Sequence, residues 1–455
     1  MPDHVLLLSV PGLREQDLAH MPNLSRHMER GDRAPLVPST PAVTCPVQVN
    51  MTTGLPPSEH GVVANGFFWR EGLTPGRGPK YDGVEMWTAW NDVVQRPQVW
   101  DRMKEHDSSL TSAVWFPLLA KGCGADYACT FAPIHNPDGS ESLWCYTLPE
   151  MLYGDLRDAL GHFPLTHFWG PLANIESTHW ILGSYLKLLE SNRPNFSYLY
   201  LPHLDYAAQK FGPNSAEAAA ACATLDEELA GFFGTVNQRF SEPPLWLVAS
   251  EYAITEVDHV TYPNRVLREA GLLSVRHDDD GRELIDYQAS AAWALADHQH
   301  SHVFVRDRDA SVIRRVIDRF ADEEGIDAAW DAQEQSRQGI AHERSGGVVL
   351  VSTPNSWQAY YWWQDDSLAP SFARTIDIHR KPGYDPVEMF FNPALAKEFG
   401  GGTPLDASLV RGSHGAPARD DSQRGVLLSS ERGVLVEQPM ADLDVCQTVL
   451  QQFGI

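Results

Sequence analysis

Thr44 stands where a Pro-rich run, Pro38-Ser-Thr-Pro-Ala-Val, gives way to Thr44-Cys45-Pro46 and an amphipathic segment that reaches Gly54. Proline suits a first helical turn, so this spacing predicts a helix that opens at or near Thr44. Free backbone N–H groups and the positive end of the helix dipole favour an anion at such a point. A hydroxyl there can attack a bound phosphoryl group once its proton has an acceptor. Cys45 is a second nucleophile by type, although a cysteine in an apolar run more often fills a core. A threonine in front of a helix can also be a cap and nothing else.

The surroundings add to this. Thr44-Cys-Pro, then Thr53-Gly-Leu-Pro-Pro-Ser-Glu-His60-Gly61 and Asn65, resemble the nucleophile region of the type I phosphodiesterase/nucleotide pyrophosphatase branch of the alkaline phosphatase superfamily. The resemblance implies Thr44 as nucleophile and Asn65 as the amide that contacts the phosphate. Tyr200-Leu-Pro-His203-Leu-Asp205-Tyr-Ala-Ala-Gln209 resembles a metal-ligand segment, with Asp205 as a ligand and Gln209 where the family has histidine. Ser250-Glu251-Tyr252 resembles Ser-Asp-His, and Arg411-Gly-Ser-His414-Gly415 keeps the last histidine. Pro11 replaces an opening aspartate.

A neutral amide and a proline are poor replacements in a two-zinc site. The resemblance therefore implies one divalent ion, zinc before others, held by Asp205, Glu251 and His414. The alternative is a metal-free site in which Glu251 or a histidine acts as general base for Thr44. His203, Gln209, Tyr252, His298 and Cys45 are further candidates. Asp297-His298-Gln-His300-Ser-His302 reads either as a source of replacement imidazoles or as a strand mouth whose histidines face water. The run Asp377-Ile-His-Arg380-Lys381-Pro-Gly-Tyr-Asp385 reads as ion-paired support or as a contact for the leaving group. The implied function is hydrolysis of phosphodiester or pyrophosphate bonds in a small nucleotide-like substrate. A phosphomonoesterase and a catalytically silent binding or scaffold protein are the alternatives.

These residues need strands and helices that carry them to one place. Residues 5–10, 196–202 and 245–250 are apolar runs that suit fully buried strands, and residues 179–189 and 216–232 have helical periodicity. The alternation predicts a doubly wound, mostly parallel α/β sheet, with its ligand site beyond the strand carboxyl ends. The resemblance makes that sheet alkaline-phosphatase-like. Residues 67–96 and 123–153 read as irregular cap insertions within 67–153, and residues 301–371 as a small inserted α+β lobe of βαβ type. Residues 1–300 and 372–455 are then the core.

Sixty acidic against 35 basic side chains give a net charge of −25. That field argues against a nucleic acid polymer or an anionic membrane as partner and leaves a small anionic substrate needing a local positive device. Six cysteines without a Cys-x-x-Cys pair indicate neither a zinc knuckle nor a disulfide frame. The first apolar run is too short for a signal peptide and none is long enough to span a membrane, so the expectation is a cytoplasmic protein. Nothing in the sequence sets an oligomeric state.

Overall fold

The fold comes from a computed structural model that describes residues 2–69, 83–135, 141–399, 401–436 and 438–455. At its centre is a sheet in the order Met440–Ala441, Arg33–Val37, Gly425–Ser429, Leu245–Ala249, Val5–Ser9, Phe196–Tyr200, Ser112–Trp115, Tyr127–Phe131 and Cys145–Leu148. Gly425–Ser429 and Cys145–Leu148 run against the others, which are parallel. Val5–Ser9, Phe196–Tyr200 and Leu245–Ala249 are buried at every position, as continuous apolar strands must be when both faces are covered.

Alternation along one strand separates the two covering layers. Leu6 and Leu8 pack with Trp180, Ile181, Leu225 and Leu229 from the helices Ile175–Leu188 and Ala216–Arg239. Val5 and Leu7 pack on the other face with Val47, Met51, Val99, Trp100 and Val445, from Thr44–Thr53, Val99–His106 and Asp444–Gln451. The result is the expected doubly wound sheet, with the ends of its central strands converging on Thr44.

Two expectations need correction. Residues 123–153 are not an irregular cap throughout, because Tyr127–Phe131 and Cys145–Leu148 extend the main sheet to its edge. Small buried residues such as Ala128, Cys129 and Thr130 give a weak apolar pattern, and that concealed the first of them. Residues 70–82 and 136–140, which the cap reading included, lie outside the described residues.

The second correction concerns the inserted lobe. A four-stranded sheet of Ala292–Asp297, His300–Val305, Val348–Ser352 and Ile326–Trp330 is antiparallel in every ladder, so the βαβ crossover read there is absent from this sheet. Its first two strands are joined by a tight turn, His298-Gln299, with Asp297 opposite His300. His298 adopts φ 59°, a left-handed conformation that is uncommon for a residue with a Cβ. The strain turns its ring toward the end of the main sheet, where Tyr384 and His414 receive it. All six cysteines are buried and unpaired. Among the described residues no helix is long and apolar enough to cross a membrane.

Candidate active site

Val43 is extended (φ −128°, ψ 160°) and Thr44 is the first residue of its helix, so Thr44 does not serve as the cap. Accounting for the first-turn donors corrects the picture of a fully open helix end. Pro46 has no N–H, and Cys45 N–H donates to Asn65 Oδ1 at 2.9 Å. The Thr44 N–H has no acceptor among the described residues and stays free for a ligand. Its hydroxyl shares a 3.0 Å hydrogen bond with the Tyr252 hydroxyl.

One helical turn on, Gln48 Nε2 donates to Glu251 Oε1 (2.8 Å), which also accepts from Ser9 Oγ (2.6 Å). Ser9 ends one central strand and Glu251 follows its neighbour, so these bonds fix the Thr44 helix to the sheet. The Tyr252 ring lies flat on His414, with centroids 3.5 Å apart and planes 6° apart. His414 Nδ1 donates to the Ala42 carbonyl (2.8 Å), which leaves Nε2 as a bare lone pair with no partner. The loop comes this close because residue 412 is glycine; a Cβ there would run into the Ala208 carbonyl.

Asn65 is held by a residue the sequence reading did not single out as a site group. Asp297 accepts from the Asn65 backbone N–H (2.9 Å), from Asn65 Nδ2 (3.0 Å) and from His298 Nδ1 (2.7 Å). The signal was present in Asp297-His298-Gln-His300, but the histidines drew attention and the carboxylate in front of them did the aligning. His298 stacks on Tyr384 at 3.6 Å and lies 4.0 Å from His414. Tyr384 OH donates to Gln209 Oε1 (2.6 Å), and Gln209 Nε2 donates to Asp205 Oδ2 (2.9 Å). Thr44, Tyr252, His414, His298, Tyr384, Gln209 and Asp205 thus form one continuous buried chain of contacts.

Other candidates lie elsewhere. His203 shares the His203–Phe211 helix with Asp205 but lines a cavity away from this cluster. The Cys45 thiol sits in an apolar cluster with Val49, Val62 and Phe67, and burial pushes its pKa well up, which suits a core cysteine better than a nucleophile. His298, His300 and His302 do not face water, being 2%, 0% and 1% exposed, because their turn and strand pack against the core: His298 on Tyr384, His300 beside Gly415 and His302 on the Val63 carbonyl.

Burial also sets the charge state of the acids. It pushes Asp205 up to about 7, against the Gln209 hydrogen bond and the nearby Tyr252 phenol, which lower it. No hydrogen bond reaches Asp205 Oδ1 at rest. Burial raises Glu251 to about 8, while Ser9 and Gln48 pull it part of the way back and Asp205 adds to the rise. The folded-state pKa of Glu251 is above its ordinary 4.5. Its contribution to stability is therefore complete below that value and is lost as the pH rises through about 8. In chelator-treated protein the urea midpoint should fall across this window, and Glu251→Gln should flatten the fall; an unchanged slope in the variant would refute it.

The metal implied by the sequence finds no seat. Pro11 has no donor, both ends of the Gln209 amide are engaged, and burial holds the Tyr252 phenol protonated by pushing its pKa well up. Among the described residues, no three His, Cys, Asp or Glu side chains stand together so as to hold an ion. Asp205, Glu251 and His414 each keep one unpartnered atom but do not form that group. The donor set does not fit one zinc ion any more than two.

An uncharacterized pyrophosphatase/phosphodiesterase of Schizosaccharomyces pombe is 26% identical over 223 residues, covering 47% of this chain. The match spans only 36% of that relative's length. Phosphonoacetate hydrolase of Sinorhizobium meliloti 1021, solved with phosphonoacetate, superposes with a TM-score of 0.63 at 18% identity over 99% of this chain and 96% of that one. Murine ectonucleotide pyrophosphatase/phosphodiesterase 5, solved with AMP, gives a TM-score of 0.61 at 12% identity over 99% and 95%. At such identities the structural likenesses establish the fold. Residues 5–385 match the type I phosphodiesterase / nucleotide pyrophosphatase family, and the chain belongs to it.

Proposed function

We propose that this protein hydrolyses phosphodiester or pyrophosphate bonds in a small, nucleotide-like anionic substrate, with Thr44 as nucleophile. The observation that carries the reading is the 3.0 Å contact of the Thr44 hydroxyl with Tyr252, beside a carboxyl group poised at about 7. Thr44 Oγ attacks phosphorus, the P–O bond to the leaving group breaks, and the leaving group departs as an aryloxide or phosphate anion. The threonine proton passes to the Tyr252 oxygen as the phenol proton moves to the free Oδ1 of Asp205. The Thr44 N–H and the second hydrogen of Asn65 Nδ2 face the phosphoryl oxygens. Water, oriented by the bare Nε2 of His414, then cleaves the phosphothreonine ester. The water proton leaves with the phosphate product, and the proton on Asp205 returns through Tyr252 to the Thr44 oxygen. The small phosphorus oxyanions bound by the two solved relatives, phosphonoacetate and AMP, support the substrate class.

Without a metal the attack forgoes several kcal/mol of charge stabilisation. Activated aryl esters should therefore be the best substrates. Turnover of an aryl phosphodiester should rise with pH through about 7 as Asp205 ionises, and Asp205→Asn should abolish that limb. Because the donor set does not fit a metal, dialysis against EDTA should change the rate by less than about twofold; a tenfold loss restored by zinc would overturn this part.

A silent, ligand-binding protein is the second reading, favoured by the mutual satisfaction of Cys45 N–H and Asn65. AMP binding with no turnover on any aryl ester would select it. The six unpaired cysteines support a reducing compartment, and we place the protein in the cytoplasm.

A further inference from the structure

On the His203–Phe211 helix, positions 203, 206, 207 and 210 recur at helical spacing and form a face turned away from the one bearing Asp205 and Gln209. That outer face lines a cavity of about 130 Å³, shared with Pro171, Phe211 and Met389. One buried group there lacks the partners that buried groups ordinarily have, and a partly exposed cation stands beside it. Both ring nitrogens of His203 are buried without a hydrogen bond. A neutral imidazole offers one N–H and one lone pair. Lys210 is a partly exposed cation on the cavity wall in a chain of net charge −25. Its ammonium sits 5.4 Å from each of the Phe211 and Phe390 ring centres.

The mouth is apolar. Phe211, which lines it, is 46% exposed, Leu172 between the lining residues Pro171 and Ala173 is 61% exposed, and Ile376 is 42% exposed. Ile376 stands against Gly170, which lines the cavity. A cation, a neutral N–H and a greasy rim together describe one kind of guest.

We propose that this cavity is a second binding site, separate from the one around Thr44, for a small organic carboxylate with an aromatic or aliphatic body. The carboxylate pairs with the Lys210 ammonium and accepts the His203 N–H, while its body lies against Phe211 and Met389. One ammonium and one N–H match a monoanion, and a cavity of this size takes a single ring.

The test is calorimetric titration of the full chain with benzoate, with its neutral isostere benzamide, and with inorganic phosphate. Benzoate should bind, benzamide should bind at least about tenfold more weakly, and saturating phosphate should not displace benzoate. Lys210→Met should weaken benzoate by about tenfold or more, and Ala207→Leu, which fills the cavity and keeps the charge, should block it. Thr44→Ala should bind benzoate like the parent, so the result stands whether or not Thr44 is a nucleophile. No benzoate binding, displacement by phosphate, or unchanged affinity in a folded Lys210→Met or Ala207→Leu protein would overturn the proposal.

Discussion

Thr44→Ala should lower kcat/KM on an aryl phosphodiester by about 10³-fold or more, because it removes the atom proposed to form the covalent bond. The loss should be chemical and not structural. Val43 occupies the cap position, and the Thr44 hydroxyl makes one hydrogen bond, to Tyr252. Deleting it should cost no more than about 1 kcal/mol of stability, read as a small shift in the urea midpoint. Thr44→Ser should keep measurable activity. Cys45→Ala should retain most of the rate, since its thiol lies in an apolar cluster. A folded Thr44→Ala protein with parental turnover would remove the nucleophile assignment.

The second large effect is on stability. Lys381 Nζ sits 2.8 Å from Asp385 and 2.7 Å from Glu388, with all three side chains within 1% of full burial. Burial alone would lower the lysine pKa, but the two carboxylates outweigh it and raise the value. Lys381→Met leaves both acids without their cation and should destabilise the fold by about 3–5 kcal/mol in urea unfolding. Adding Asp385→Asn and Glu388→Gln should recover part of that loss. Glu388 also accepts from Trp169 Nε1 (2.7 Å), and the segment carries Tyr384, whose hydroxyl fixes Gln209. The charged run is therefore support for the site, and a loss below about 1 kcal/mol in Lys381→Met would contradict that role.

The parts of the fold legible in the sequence are those whose pattern is local. Val5–Ser9, Phe196–Tyr200 and Leu245–Ala249 are apolar throughout, and Pro46 marks the helix that Thr44 begins. Tyr127–Phe131 was hidden because alanine, cysteine and threonine fill its buried positions. The burial of His298, His300 and His302 comes from Tyr384, Gly415 and Val63, which are distant in sequence and pack against their turn and strand, and no local pattern reports that.

The site divides in the same way. Thr44 and Asn65 stand at readable spacing, whereas the Tyr384 hydroxyl reaches Gln209 across 175 positions of chain. Tyr252 and Gln209 departed from the family's letters, and only their surroundings show why. The tyrosine ring covers His414 and meets Thr44, and the glutamine amide bridges Tyr384 and Asp205, so both fill space with hydrogen-bonded side chains.

The most direct test is an acid quench of the protein during turnover of an aryl phosphodiester, followed by mass spectrometry of the peptide spanning Thr44. The proposed mechanism predicts a phosphoryl ester on the Thr44 side chain that is absent in Thr44→Ala. Steady turnover with no adduct, or an adduct on Cys45, would contradict it.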